Sequence, residues 1–317
     1  MVGAGVPRIL QEGGAVGAYG RIKVSRRLSR DAEAYLFLVP WLLGFFCFTL
    51  GPTLASLYLS FTSFDLVQNP RWIGAANYVR IATDDAKFID SIKVTFTYVA
   101  LAVPLKLAFA LAVAMALNKG LRGLSLYRAI FYLPSLLGAS VAIAVLWRIL
   151  FSRDGLVNQV LLIVGIHGPS WISDPDYAIY TLVILSIWQF GSPMIIFLAG
   201  LRQIPQEVYE AASLEGASKR RQFFKITLPL LTPVIFFNAV VQTIDAFKAF
   251  TPAFIISEGQ GGPVRATLFY TLYLYQEAFA FFRMGYAAAL AWILVVIIAF
   301  FTTLSFLSAR YWVHYDE

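Results

Sequence analysis

Asn238, Gln242, Asp245 and Lys248 stand in an apolar run over about residues 226–256. At about 100° per residue on a helix, the first three fall within about 60° of one another. Amides and a carboxylate on one stripe can hydrogen-bond the hydroxyls of a sugar. Lipid offers such groups no partner, so the stripe must face the interior of a helix bundle or a wet cavity. A simpler account also fits: hydrogen bonds between helices, worth about 0.6–2 kcal/mol each. Asp245 and Lys248 are three residues apart and could neutralise each other, which would remove Lys248 as a ligand.

A second set is Trp188, Gln189, Phe190, Gly191, Ser192 and Pro193. An indole face beside an amide suits a pyranose ring, which offers C–H groups to one and hydroxyls to the other. Gly191 and Pro193 suggest a break in the helix, and broken helices in transporters often border the substrate. Core packing of Trp188 around a plain kink accounts for the same letters. Lys106, two residues after Pro104, could meet an anionic sugar such as a uronate, or pair with Asp245. Arg148, beside Trp147, reads as a cation snorkelling to an interface.

The elements that must carry these groups follow from composition. The chain has 317 residues, 59% hydrophobic and 14% charged, well below a soluble norm of about 25% charged. Several apolar runs exceed the ~18 residues that cross a bilayer. The expected architecture is an all-α membrane protein with six transmembrane helices, near 35–61, 92–117, 129–150, 178–200, 226–256 and 284–309. A basic tail over 1–30 precedes a membrane domain over 31–317. Fifteen cations lie on the side of the tail, the loop after the second run and the segment 201–225; seven lie on the other side. This asymmetry predicts both termini in the cytoplasm. It also accounts for the net charge of +7 without nucleic acid. Tyr270, Tyr273, Tyr275 and Phe279 are expected at headgroup depth, in a stretch too short and too interrupted to span.

Cys47 is the sole cysteine, and His167 and His314 are the two histidines, so no metal-ligand spacing exists. No Ser–His or Cys–His arrangement lies at membrane depth, which argues against an intramembrane enzyme. No Gly-Lys-Ser/Thr phosphate loop is present, so no cofactor is expected on this chain.

The most charged segment of the apolar half is 201–225. Pro205 can open a short helix, and Gly216 can end and reverse it, since glycine takes left-handed backbone angles without strain. Lys219, Arg220, Arg221 and Lys225 follow. Glu210-Ala211-Ala212, three residues, Gly216, nine residues, then Ile226-x-Leu228-Pro229 resembles the EAA motif of permease subunits in binding-protein-dependent ABC importers. Leu198-Ala199-Gly200-Leu201 with Ile204-Pro205, and Trp72-Ile73-Gly74 with Asn77-Tyr78, resemble its carbohydrate branch. Within that branch the chain is similar to alginate importer permeases. The resemblance implies a type I ABC importer permease fold in the cell inner membrane. It makes Glu207, Glu210, Ala211, Ala212, Gly216, Lys219 and Arg220 the coupling helix that docks on a separate ATPase, which binds the ATP and Mg. It further implies a second permease subunit, two ATPase subunits, an extracytoplasmic solute-binding protein and an oligosaccharide substrate. An ion-coupled secondary transporter would explain Asp245 and the broken helices, but not the EAA pattern.

Overall fold

The computed structural model describes residues 35–119, 123–138 and 140–314. The basic tail and Arg122 lie outside them. The described residues are mostly helical, and the chain divides into two units at the boundary between Ser56 and Leu57. The first unit holds most of helix α1 (Tyr35–Ser60), whose apolar side chains, Phe37 and Phe48 among them, lie on the surface. Pro52 clashes with a regular helical turn before it, and a five-residue π-helical stretch, Phe46–Leu50, accommodates it there.

The second unit begins with a two-residue ribbon, β1 (Thr62–Ser63) against β2 (Arg71–Trp72), antiparallel with Thr62 opposite Trp72. In α2 (Ala76–Thr83), the buried Asn77 amide donates to the carbonyls of Ser60 (2.9 Å) and Thr62 (3.0 Å), satisfying groups left open where α1 ends. Helix α3 (Ala86–Leu117) starts earlier than the apolar run suggests, because Asp85 caps it by accepting from the Phe88 amide at 3.0 Å.

The third apolar run, expected as one helix, is broken. Helices α4 (Leu124–Leu137) and α5 (Val141–Leu150) meet at 95°. Pro134 and Gly138 weaken the first, and the Ser140 hydroxyl starts the second by accepting from Ile143 N at 3.3 Å. After α6 (Leu156–Ile163), the fourth run is also split, into α7 (Pro175–Trp188) and α8 (Gly191–Gln203), bent by 44° at the place the Gly-Ser-Pro letters suggest. Then follow α9 (Gln206–Leu214), α10 (Lys219–Gln222), α11 (Thr232–Phe247), α12 (Thr251–Ile256), α13 (Tyr270–Tyr275) and α14 (Met284–Trp312). Four helices among the described residues are long and apolar enough to cross a membrane, or six if each bent pair counts as one span.

Helix α3 is the axis of this unit. Its first half packs with α7, α11 and α13, in a core that includes Leu182, Leu185, Phe269 and Leu290. Its second half packs on α8 through Ala110, Ala114 and Leu117 against Met194, Phe197, Leu198 and Leu201. Small alanines let the backbones approach where lipid gives no hydrophobic drive to associate.

The aromatic stretch corrects the sequence expectation. Tyr270 and Tyr273 are 1% and 2% exposed, and so are core residues, not headgroup anchors. The Tyr270 hydroxyl donates to Leu290 O at 2.7 Å. Tyr273 donates to Asp85 Oδ2 at 2.5 Å, and Tyr286 donates to the same oxygen. Burial alone would raise the Asp85 pKa. The two tyrosine hydroxyls and the Phe88 and Lys87 amides outweigh it, holding the carboxyl below its ordinary 3.8. A depressed folded value means that Asp85 stabilises the fold above about pH 4 and that this contribution disappears as pH falls through the folded value. The melting temperature of the detergent-solubilised protein should therefore drop on acidification below about pH 4, and Asp85→Asn should flatten that drop while lowering the melting temperature at neutral pH. Identical acid slopes for the two proteins would remove Asp85 as the source.

Candidate functional site

A cavity of about 470 Å³ lies where the two broken runs meet α3 and α11. Its walls come from Tyr98, Val103 and Lys106 of α3, Ser135 of α4, Ser186 of α7, Ser192 and Ile196 of α8, Gln242 and Asp245 of α11, and Phe250 and Thr251 beyond. Gly138, Gln189 and Lys248 complete it at the helix breaks.

The breaks are held by hydrogen bonds between them. Gln189 Nε2 donates to Gly138 O at 3.1 Å. The Ser135 hydroxyl donates to Gln189 O at 3.0 Å and accepts from the Ser192 amide at 3.0 Å. Backbone groups freed by broken helices thus find partners at the cavity wall, the condition under which non-helical backbone survives at membrane depth. The approach is close. A Cβ on Gly191 would sit 2.5 Å from Phe131 O and 2.7 Å from Tyr132 Cα, both backbone atoms. Gly191→Ala must therefore push α4 from α8. We expect a loss of about 1–3 kcal/mol, read as a lower melting temperature in detergent; an unchanged melt would show that the junction gives way freely.

Of the seven substrate-path candidates, Lys106, Gln189, Gln242, Asp245 and Lys248 line this one cavity, together with Ser192 of the broken fourth run. Two do not. Asn238 is 1% exposed, and its amide donates to Val234 O of its own helix at 3.2 Å. Trp188 is half-buried and packs against the core, its ring 5.9 Å from that of Trp147. Lys248 Nζ lies 3.4 Å from Asp245 Oδ1, so these two charges offset each other. Among the described residues no carboxylate lies within ion-pair distance of Lys106, and the lining holds two lysines against the one carboxylate of Asp245, a net charge of one positive. Arg148 lies elsewhere, paired with Glu258. Tyr98 and Phe250 went unnoticed in the sequence, since an aromatic residue in an apolar run carries no sign of which face it takes.

The polar segment after α8 forms a separate feature. Pro205 takes extended angles (φ −60°, ψ 136°) as the residue before α9, not as its first helical residue. The helix ends in a Schellman turn, with Gly216 N donating to Ser213 O (3.1 Å) and Ala217 N to Ala212 O (2.9 Å). Gly216 is left-handed at φ +79°. Glu207, Glu210 and Ala211 of α9, and Lys219 and Arg220 of α10, are exposed, and Ala212 is half-buried. Leu214 at the tip is 92% exposed. The segment is thus an exposed helix that ends in a tight turn and is followed by cations.

The profile of the family described as "Binding-protein-dependent transport system inner membrane component" matches residues 81–313. The probable ABC transporter permease protein YesP of Bacillus subtilis is 53% identical over 298 residues, 93% of this chain and 96% of that protein. The lactose transport system permease protein LacF of Rhizobium radiobacter is 34% identical over 88% of this chain and 95% of its own length. Among solved structures, a chain of a bacterial alginate ABC transporter, in complex with alginate pentasaccharide-bound periplasmic protein, superposes with TM-score 0.78. It is 21% identical and covers 91% of this chain and 97% of its own.

Proposed function

The chain belongs to the family of binding-protein-dependent transport system inner membrane components, and from that premise we propose that it is a permease subunit of an ATP-driven importer for an acidic oligosaccharide. Membership makes it a membrane component of an ABC transporter and not an enzyme. The importer reading adds six spans with both termini in the cytoplasm, a second permease subunit beside it, and two ATPase subunits, one of them seated on α9. A soluble binding protein delivers the sugar at the opposite face.

The observation that carries the substrate class is the unbalanced charge of the cavity. Lys106 stands beside the amides of Gln189 and Gln242, the hydroxyls of Ser186 and Ser192, and the rings of Tyr98 and Phe250. In this reading Lys106 meets a sugar carboxylate, the amides and hydroxyls bond ring hydroxyls, and the aromatic faces take C–H groups. Asp245 holds Lys248 and bounds the site. Asn238 and Trp188 sit behind the wall as support. The alginate transporter of similar fold supports an alginate-like polyuronate, and the lactose relative supports a sugar in general. ATP closure of the partner subunits would move α9 and, with it, the helices around the cavity, opening it alternately to each side.

The test is uptake by the reconstituted complex with its binding protein, across a panel of neutral and uronate oligosaccharides. Uptake of uronates that needs ATP and ignores ion gradients is the expected result. Transport driven by an ion gradient without ATP would overturn the importer reading. ATP-driven uptake confined to neutral sugars would overturn only the assignment of charge.

A further inference from the structure

Helix α9 buries no residue of its own, so apolar packing does not fix its pose. A closed circuit of side-chain hydrogen bonds does. The Ser213 hydroxyl donates to Tyr209 O at 2.7 Å. Ser213 Oγ in turn accepts from Gln222 Nε2 at 2.8 Å. That amide also donates to Ala217 O at 3.2 Å, on the far side of the Gly216 elbow. Gln222 Oε1 accepts from Lys219 Nζ at 3.2 Å. The circuit closes through Thr227, whose Oγ1 lies 2.9 Å from the Tyr209 hydroxyl and 3.5 Å from Gln222 O. Gln222 and Thr227 are buried, 3% and 7% exposed, in a segment where nearly everything else is open to solvent.

We infer that Gln222 is a positioning residue for energy coupling: its amide cross-braces the glycine elbow, so that α9 and the segment from Lys219 to Thr227, which leads into α11, move as one rigid piece. The reasoning is mechanical. Gly216 is left-handed with nothing within 4 Å of where its Cβ would be, so no side chain packs on the elbow itself, and only its two turn hydrogen bonds hold it from within. A flexible elbow would let a partner push α9 without displacing α11. Gln222 spans the elbow, binding Ser213 before it and Ala217 after it, and no other residue type of that length offers two N–H donors and an acceptor in one group. Its donors meet a hydroxyl and a carbonyl and its acceptor meets an ammonium, so this orientation of the amide satisfies every partner, and the flipped one would set oxygen against oxygen.

This inference rests on the importer reading, and the experiment separates the two. Wild type, Gln222→Ala, Gln222→Met and Tyr209→Phe are each purified with the partner ATPase and reconstituted with binding protein and sugar. ATP hydrolysed and sugar delivered are measured on the same vesicles. If wild-type particles hold no ATPase, the importer reading fails before the brace is tested. If wild type couples, Gln222→Ala should retain the ATPase and deliver about tenfold less sugar per ATP, the weight of the two hydrogen bonds, to Ser213 and Ala217, that are lost across the elbow. Tyr209→Phe, which opens the circuit at one point, should fall between. Gln222→Met fills the same space without the donors. A normal ratio in Gln222→Met would reduce Gln222 to packing and overturn the proposal, as would a normal ratio in Gln222→Ala.

Discussion

Gly216→Pro is expected to reduce transport by about tenfold or more while the protein still inserts in the membrane, because proline fixes φ near −65° and this turn needs +79°. The substitution has two local consequences. It forbids the left-handed step that ends α9, and it removes the amide that donates to Ser213 O at 3.1 Å. The chain after Ala212 must then leave in another direction, and the cations of α10 no longer sit beside the helix. The spans themselves are untouched, since Gly216 is exposed and touches no membrane helix. ATP hydrolysis and uptake measured together on the assembled complex would report this as lost coupling. Gly216→Ala should be milder, because a left-handed alanine costs only about 1–2 kcal/mol and there is open space for the added methyl. Normal uptake by Gly216→Pro would mean that α9 has no part in force transfer.

Lys106→Glu should abolish uptake of an acidic oligosaccharide. With Asp245 and Lys248 paired at 3.4 Å, Lys106 decides the sign of the cavity, and its replacement changes the net charge of the lining from one positive to one negative. Like charge at close range is costly, and each uronate unit would meet it on passing the cavity. Lys106→Gln keeps a hydrogen-bond donor without the charge. It should bring uptake down less, and should narrow the preference for acidic over neutral sugars. Binding of the ATPase at α9 should be normal in both variants, because Lys106 and α9 belong to different features of the fold. Equal uptake of uronates by wild type and Lys106→Glu would place Lys106 outside the substrate path.

Some of this was readable from single letters because the bilayer makes the rules strict. A run of apolar residues has to be a helix when no water is present to bond its backbone. A polar group in that run has to find an interior partner, which is why Gln189, Gln242 and Asp245 stood out and why all three line one cavity. The Gly191–Pro193 break and the Gly216 turn were legible for another reason: each depends on the backbone preferences of the residue in place, which neighbours far along the chain do not alter.

The rest depended on partners distant in sequence. Whether Asn238 faces the cavity or its own helix, and whether Trp188 meets substrate or Trp147, turns on a few tens of degrees of helix rotation. Periodicity does not resolve that, and packing against α3 sets it. Tyr273 looks the same in the sequence as a headgroup anchor. It is a core residue because Asp85, 188 positions earlier, offers it a carboxylate. The break between α4 and α5 had a weak local signal in Gly138, but the Gln189 side chain that holds it open comes from 51 residues on. The sequence by itself determined a bundle of membrane helices, the polar groups that need an interior, and the elbow after α9. The tertiary structure alone decided which of those polar groups share one space, because that follows from the mutual rotation of rigid helices, and rotation is fixed by contacts between them rather than within them.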